Sequence, residues 1–431
     1  MMRLLVFLCA FAGATALQAQ EFFTLKGHGG PIKGIAAHAD GSILTASFDN
    51  SVGLWRDGVP RWLEGHEAAV NAVGWLGQGR MVSAGDDYTL RLWEEDGSSR
   101  VLGQHTAKII QVDVAAGSGL VATASWDRTA GIWDTTGTGA PVILRGHANT
   151  VNDVAFSADG ARLYTASTDG AIFMWDVATG ERLRRFEQHG FGLNTIVLAE
   201  DESWIAYGAI DGVTRVISLP DGAPLHDFTA GRRPVLAMSY DAPTNRIAVG
   251  DAEGYIMVID TKAWRIADDF RATLSGPVWA LDFTTDGQNI HAGGLDSAMY
   301  SWPVAALSRA GKMTETEPSF LRAPETMSNG ERQFQRKCSI CHALGPDGER
   351  RAGPTLYGVF GRSAGAVEGY FYSETLEGAE IVWSPETIDA LFDIGPDHYI
   401  PGSKMPQQRI TAQSDRDDLI AFLEKATAAD R

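Results

Sequence analysis

A histidine, an aspartate and a tryptophan recur together at a near-constant period through most of this 431-residue chain. Gly-His or Gln-His pairs place His28, His66, His105, His147 and His189 at separations of 38, 39, 42 and 42 residues. An Asp follows each His by 21 or 22 residues: Asp49, Asp87, Asp127, Asp169 and Asp211. Six residues beyond each Asp stands Trp55, Trp93, Trp133, Trp175 or Ile217. The frame continues without the His, Glu253 preceding Ile259 and Asp296 preceding Trp302 by the same six. Units this short do not bury a core alone, so seven of them must stack on one another.

Inside each unit, alternating runs such as Thr150-Val151-Asn152-Asp153-Val154-Ala155-Phe156 read as strands, broken by turn pairs such as Asp159-Gly160. Three strands between His and Trp, and one leading to the next His, make a four-stranded blade. The units resemble the WD40 repeat family, which implies an all-β seven-bladed propeller over residues 20–303. The resemblance also implies a buried network in which the His bonds the turn Asp, completed by a strand hydroxyl and the Trp N–H. The expected sets are His28/Ser47/Asp49/Trp55, His105/Ser125/Asp127/Trp133 and His147/Ser167/Asp169/Trp175. The second unit has Gly85 at the hydroxyl position, and the fifth has Ala209 and Ile217. Because each His has a partner in its own blade, a shared metal site is not expected. The chain after Trp302 offers no fourth strand, so Phe22–Leu25 is expected to supply the outer strand of the last blade.

Fifty-four acidic against 36 basic residues give a formal net charge of −18, which argues against nucleic acid as the main partner. No internal stretch approaches the ~20 apolar residues of a membrane span, so no transmembrane segment is expected in the mature chain. The start differs: Arg3 precedes the apolar run Leu4–Ala12, and small residues follow to Ala16 and Ala19. Residues 1–19 therefore read as a signal peptide cut after Ala16 or Ala19, and the mature protein as soluble, exported and periplasmic. Of three cysteines, Cys9 would leave with that leader. The remaining pair, Cys338 and Cys341, with His342 next in line, forms one C-x-x-C-H.

Residues 304–328 lose the period and gain Pro, Thr and Glu, as a connector does. From 329 to 431 the pattern turns helical. Two thiols three residues apart can each add across a haem vinyl group, and the following imidazole can reach the iron. A closed zinc site needs four protein ligands, and downstream only His398 and carboxylates remain. A thioredoxin-type dithiol would follow a strand and seldom carries the trailing His. Met405 is the one methionine after Cys341 and lies in a Pro/Gly loop, making it the sixth-ligand candidate, with His398 the alternative.

Residues 328–427 resemble a class I c-type cytochrome of the mitochondrial and alphaproteobacterial branch. The matching stretches are Gly330-x-x-x-Phe334, Cys338–His342, Gly353–Gly358, Gly361-Arg362, Gly369–Ser373, Trp383, Tyr399–Met405 and Asp418–Leu423. The resemblance implies an all-α domain holding one haem c through Cys338 and Cys341, with His342 and Met405 on the iron. It implies that the Pro354 carbonyl orients His342, that Arg362, Tyr372 and Trp383 reach the propionates, and that Ser403 bonds near them. Gly330 and Phe334 would pack on Phe422. Phe392 stands where a Tyr is frequent beside the Met ligand. The usual lysine ring is thin: Lys404 remains, but Asp397 and His398 occupy positions where lysines are usual. Residues 325–431 carry 11 basic and 17 acidic groups, a net of −6 that disfavours an acidic docking partner.

The expected function is one-electron transfer, with redox protein partners docking at the haem edge or on the propeller. Two other readings are open: an oxidoreductase whose propeller binds a substrate or second cofactor, and a gas sensor in which Met405 is displaced.

Overall fold

The computed structural model describes residues 21–309, apart from 116, 137–138, 230–233 and 274–275. It also describes 327–428, apart from 340, 347–350, 352, 371, 402, 404 and 406–407. Of residues 187, 188, 308, 309, 336, 374 and 397 only the backbone is described. The leader read at 1–19 and the middle of the 304–328 connector lie outside these residues.

The repeat folds into seven four-stranded antiparallel sheets. In the first, strands Ile32–Ala37, Ile43–Ser47 and Ser51–Arg56 lie between His28 and Trp55, and Val59–Glu64 leads to the next His. The innermost strands are Ile32–Ala37, Val70–Trp75, Ile109–Ala115, Val151–Phe156, Leu193–Leu198, Val235–Asp241 and Val278–Phe283. Each touches the next, and the seventh touches the first, so they ring a central channel. Phe23–Lys26 closes the last blade, pairing with Ala298–Pro303 from Phe23↔Ser301 to Lys26↔Ala298. That removes an open sheet edge. Phe22 stays outside the strand and packs on Trp302, with ring centroids 4.6 Å apart.

The core sits between blades. Ala122, Ile132 and Leu144 of the third blade pack against Val151, Leu163, Phe173 and Trp175 of the fourth, all buried. Period-two alternation sends one set of side chains to each neighbouring blade, so both faces of most strands are apolar.

The polar networks form, but with different hydroxyls from those expected. His28 Nδ1 lies 3.0 Å from Asp49 Oδ2, its Nε2 lies 2.7 Å from Thr45 Oγ1, and Trp55 Nε1 donates to the same oxygen at 2.7 Å. Thr123 and Thr165 play this part in the third and fourth blades. Ser83 plays it in the second, which is therefore complete despite Gly85. One tautomer satisfies every member: Nδ1–H donates to the Asp, and Nε2 accepts from the hydroxyl. Ser47, two residues on, donates instead to the Gly30 carbonyl at 3.1 Å and accepts from Asp49 N–H at 3.2 Å. Burial alone would raise the Asp87 carboxyl, but hydrogen bonding and charge from His66 hold it down at about 2.

The later blades depart from the pattern. His189 reaches Asp211 through Nε2 at 2.9 Å, with buried Tyr207 where the others place Thr or Ser. In the sixth blade Asp251, two residues before Glu253, accepts the turn N–H groups of Glu253 and Tyr255 at 2.8 and 3.0 Å. In the seventh, Trp302 Nε1 donates to the Ala272 carbonyl at 3.1 Å.

Buried carboxylates on the inner strands join neighbouring blades, a feature the repeat frame does not reveal. Asp113 accepts Phe156 N–H at 2.7 Å, Asp153 accepts Ile196 N–H at 2.8 Å, and Asp282 accepts Ala37 N–H at 2.8 Å. Burial pushes Asp153 up to about 7 and the other two up to about 6.

The C-terminal region has its own core and five helices: α1 (Asn329–Lys337), α2 (Glu374–Glu377), α3 (Pro385–Ile394), α4 (Pro396–Tyr399) and α5 (Gln413–Ala426). Ser328 caps α1 by accepting Glu331 N–H, and Ser384 with Thr387 forms a capping box on α3. α1 crosses α5 where Gly330 meets the Asp418 backbone; a Cβ there would lie 2.0 Å from the Asp418 oxygen. Phe334 and Phe422 fill that crossing, with centroids 5.5 Å apart. The expected all-α description holds only in part. Between α1 and α2 the described residues form turns, because Gly and Pro interrupt any helical run, and a bridge, Ser363↔Val382, ties this stretch to the segment after α2. Among the described residues no helix is long and apolar enough to cross a membrane.

Candidate functional site

The Cys338–His342 stretch begins where α1 ends. Cys338 N–H still bonds the Phe334 carbonyl at 2.8 Å, and His342 N–H bonds the Cys338 carbonyl at 2.8 Å. That last helical turn sets both thiols and the imidazole within five residues. Cys338 is buried, Cys341 half-buried, and neither is in a disulfide. Burial pushes the Cys338 thiol up to about 12 and raises that of Cys341.

His342 is fixed from two sides. Its Nδ1 lies 2.8 Å from the Pro354 carbonyl, which makes Nδ1 the protonated nitrogen and leaves the Nε2 lone pair free. Burial pulls the imidazole down, keeping it neutral and ligand-competent. Gly353 lies flat on the ring: a Cβ there would sit 2.3 Å from His342 Cε1. Only Gly fits that approach, a reason the sequence motif alone did not supply.

The apolar core that contains Cys338, Phe334 and Phe392 is also bordered by Met405, Trp383, Leu356 and Tyr399. Met405 thus reaches the same core as the first thiol, from the loop after α4. Ser403 N–H closes a turn onto the Ile400 carbonyl at 3.0 Å. Lys404, also named from the sequence, lies outside the described residues, and of Asp397 only the backbone is described.

Arg362 and Trp383 lie in register across a short pairing, since Trp383 N–H donates to the Arg362 carbonyl at 2.9 Å. The Arg362 guanidinium donates to the carbonyls of Thr355 and Tyr357 at 2.7 and 2.8 Å. Tyr372 is buried, its hydroxyl accepting Val367 N–H at 3.2 Å. Next to it, the Ser373 hydroxyl is buried with no hydrogen-bond partner among the described residues. Such an orphan points to a polar group that would fill the site. Sequence reading passed over Ser373, although its place directly after Tyr372 in the matching stretch was the available signal.

These residues fit a haem: two unpaired thiols, a neutral imidazole with a free nitrogen, a thioether on the same core, and an arginine close enough to buried Tyr372 to act on its hydroxyl. Among the described residues, no three His, Cys, Asp or Glu side chains group to hold a metal ion by themselves.

Comparison with known proteins agrees with both halves. Residues 19–56, 59–94, 97–134 and 141–176 match the WD domain, G-beta repeat family, four of the seven blades seen in the structure. Residues 327–427 match the cytochrome c family. The chain is 36% identical over 116 residues to a cytochrome c of Theileria parva, covering 27% of this chain and 99% of that protein. It is 39% identical over 113 residues to a cytochrome c of Cannabis sativa, covering 26% and 99%.

Proposed function

This chain belongs to the cytochrome c family, with WD40 repeats ahead of its cytochrome domain, and from that premise we propose that it is an exported one-electron carrier with one haem. A cytochrome c domain implies a covalently bound haem c and electron transfer. When bound, that group supplies a single reversible electron between ferric and ferrous iron. Cys338 and Cys341 would hold it by thioether bonds. His342 and Met405 would bind the iron, and Arg362, Tyr372, Trp383 and Ser403 would serve the propionates.

The chain's own residues then do three things. The Pro354 carbonyl and Gly353 hold the His342 ring in one tautomer and one plane, so the ligand does not reorganise as the charge changes. The core around Cys338, Phe392 and Leu391 excludes water. Arg362 places a positive charge beside buried Tyr372, where carboxylates of the group would otherwise lack a counter-charge. With His342 and Met405 both bound to it, the iron would have no position open to substrate. The propeller would present a docking surface to redox partners, and export rests on the leader pattern of residues 1–19.

The observation that carries this reading is the neutral His342, oriented by Pro354, beside two unpaired thiols on the core that Met405 borders. The test is carbon monoxide added to reduced, natively purified protein. An unchanged spectrum fits a six-coordinate carrier. Rapid formation of a carbon monoxide adduct contradicts it and favours an open-site enzyme or sensor.

A further inference from the structure

The inner strands each bulge one residue near their start, at the channel end that carries the His–Asp turns. In the second, fourth and fifth blades the bulged residue is Asn71, Asn152 or Asn194. Each amide donates to a carbonyl of the next blade, at Ile109, Leu193 and Val235, at 2.9, 2.8 and 2.8 Å. Blades three and six place Ile110 and Leu236 there instead, blade one Lys33 and blade seven Trp279. The last two are neighbours in the ring. Lys33 Nζ lies 5.6 Å from the Trp279 ring centroid, and Phe48 stacks on Trp279 at 5.8 Å and 23°.

Lys33 is half-buried, and among the described residues no carboxylate forms an ion pair with it. Asp86, the carboxylate whose charge acts on it, is already held by Lys108 and by Asn71 Nδ2 at 2.8 Å. Burial pulls the Lys33 ammonium down to about 8, with Asp86 only partly opposing. Lys108 lies 5.4 Å from the ring of Trp126, which is 49% exposed. Tyr88 sits exposed on the neighbouring turn of blade two, and Phe191 and Ile210 on the turns of blade five. Residues 21–309 contain four lysines, Lys26, Lys33, Lys108 and Lys262, and two of them stand at this mouth of an acidic chain.

We propose that this end of the channel binds an acidic peptide segment of a partner protein, one of whose side-chain carboxylates pairs with Lys33 beside Trp279. A half-buried ammonium without a hydrogen-bond acceptor is costly, and a carboxylate supplies the missing charge-assisted bond. The uncovered rings spread over three blades, a span that suits a peptide better than a small acid. Aromatic side chains around a desolvated charge are also the composition of binding hot spots. The inference deepens the reading of the propeller as the docking module and rests on it.

The test uses the full haem-loaded chain and two synthetic peptide pools of random sequence, identical except for a fixed central Glu or Gln. Wild type should retain the Glu pool at least about tenfold over the Gln pool. Lys33→Met should abolish that preference while its melting temperature holds, and Lys262→Met, at an exposed lysine, should keep it. Equal retention of the two pools, or of neither, overturns the proposal. A Glu preference that survives Lys33→Met also overturns it, while leaving docking by the propeller intact at another place.

Discussion

The repeat motif of the first four blades and the C-x-x-C-H region of the C-terminal domain treat their polar groups in opposite ways. In the first four blades His, Asp, Thr or Ser, and Trp close a circuit among themselves, every donor and acceptor used. Among the described residues of the C-terminal domain, Cys338 and Cys341 are in no disulfide, the Ser373 hydroxyl has no partner, and the Arg362 guanidinium bonds backbone carbonyls. Those four circuits are complete as polypeptide. The other domain is shaped around something that is not polypeptide.

The sharpest way to break that contrast is to remove the attachment points. The double variant Cys338→Ala, Cys341→Ala should carry no covalent haem and lose the helical signal of α1 and α5. The propeller should melt as in wild type. Loss of both transitions together, followed by calorimetry, would show that the halves are not independent.

Next in size is the α1–α5 crossing. Gly330→Val would push a side chain into the Asp418 backbone and should cost about 3 kcal/mol or more of C-terminal domain stability. The melting transition of that domain reads it directly.

Within the propeller, Thr165→Val strands His147 Nε2 and Trp175 Nε1 together, at about 2 kcal/mol or more. Ser167→Ala should cost less, about 1 kcal/mol, because Ser167 bonds only backbone groups. Chemical denaturation of the two variants distinguishes them, and the reverse order would restore the serine reading of the network.

The smallest effect is pH-dependent. Burial pushes the Asp153 carboxyl up to about 7, well above the ordinary carboxylate range, so the folded state holds its proton over a range where the unfolded state has released it. Stability from that proton is present at low pH and lost as pH rises through 7. His291, pulled down to about 4 by burial, acts in the opposite sense as pH falls below the ordinary histidine range. Comparison with Asp153→Asn isolates the carboxyl. Between about pH 5 and about pH 7.5, wild type should lose stability relative to the variant.

Much of this contrast was legible in the sequence, for identifiable reasons. The blades announced themselves because His28, Asp49 and Trp55 recur in a fixed frame, and the C-x-x-C-H did so because its three residues are contiguous. The strand hydroxyl was misread because Thr45 and Ser47 are two apart. Residues at that spacing lie on one face of a strand, and only distance to the His ring separates them. Asp113, Asp153 and Asp282 were invisible as blade joints, since each bonds backbone some 40 or 245 residues away. Gly353 was quoted for its motif, but the flat approach to His342 that requires glycine appears only in three dimensions.

The central claim is that one haem is joined to Cys338 and Cys341 and capped by His342 and Met405. The most direct measurement is the far-red sulfur-to-iron absorption band of the oxidised protein, compared between wild type and Met405→Ala. The account predicts the band in wild type, its loss in the variant, and a reduction potential lower by on the order of 100 mV. An identical spectrum and potential in the two proteins would contradict it.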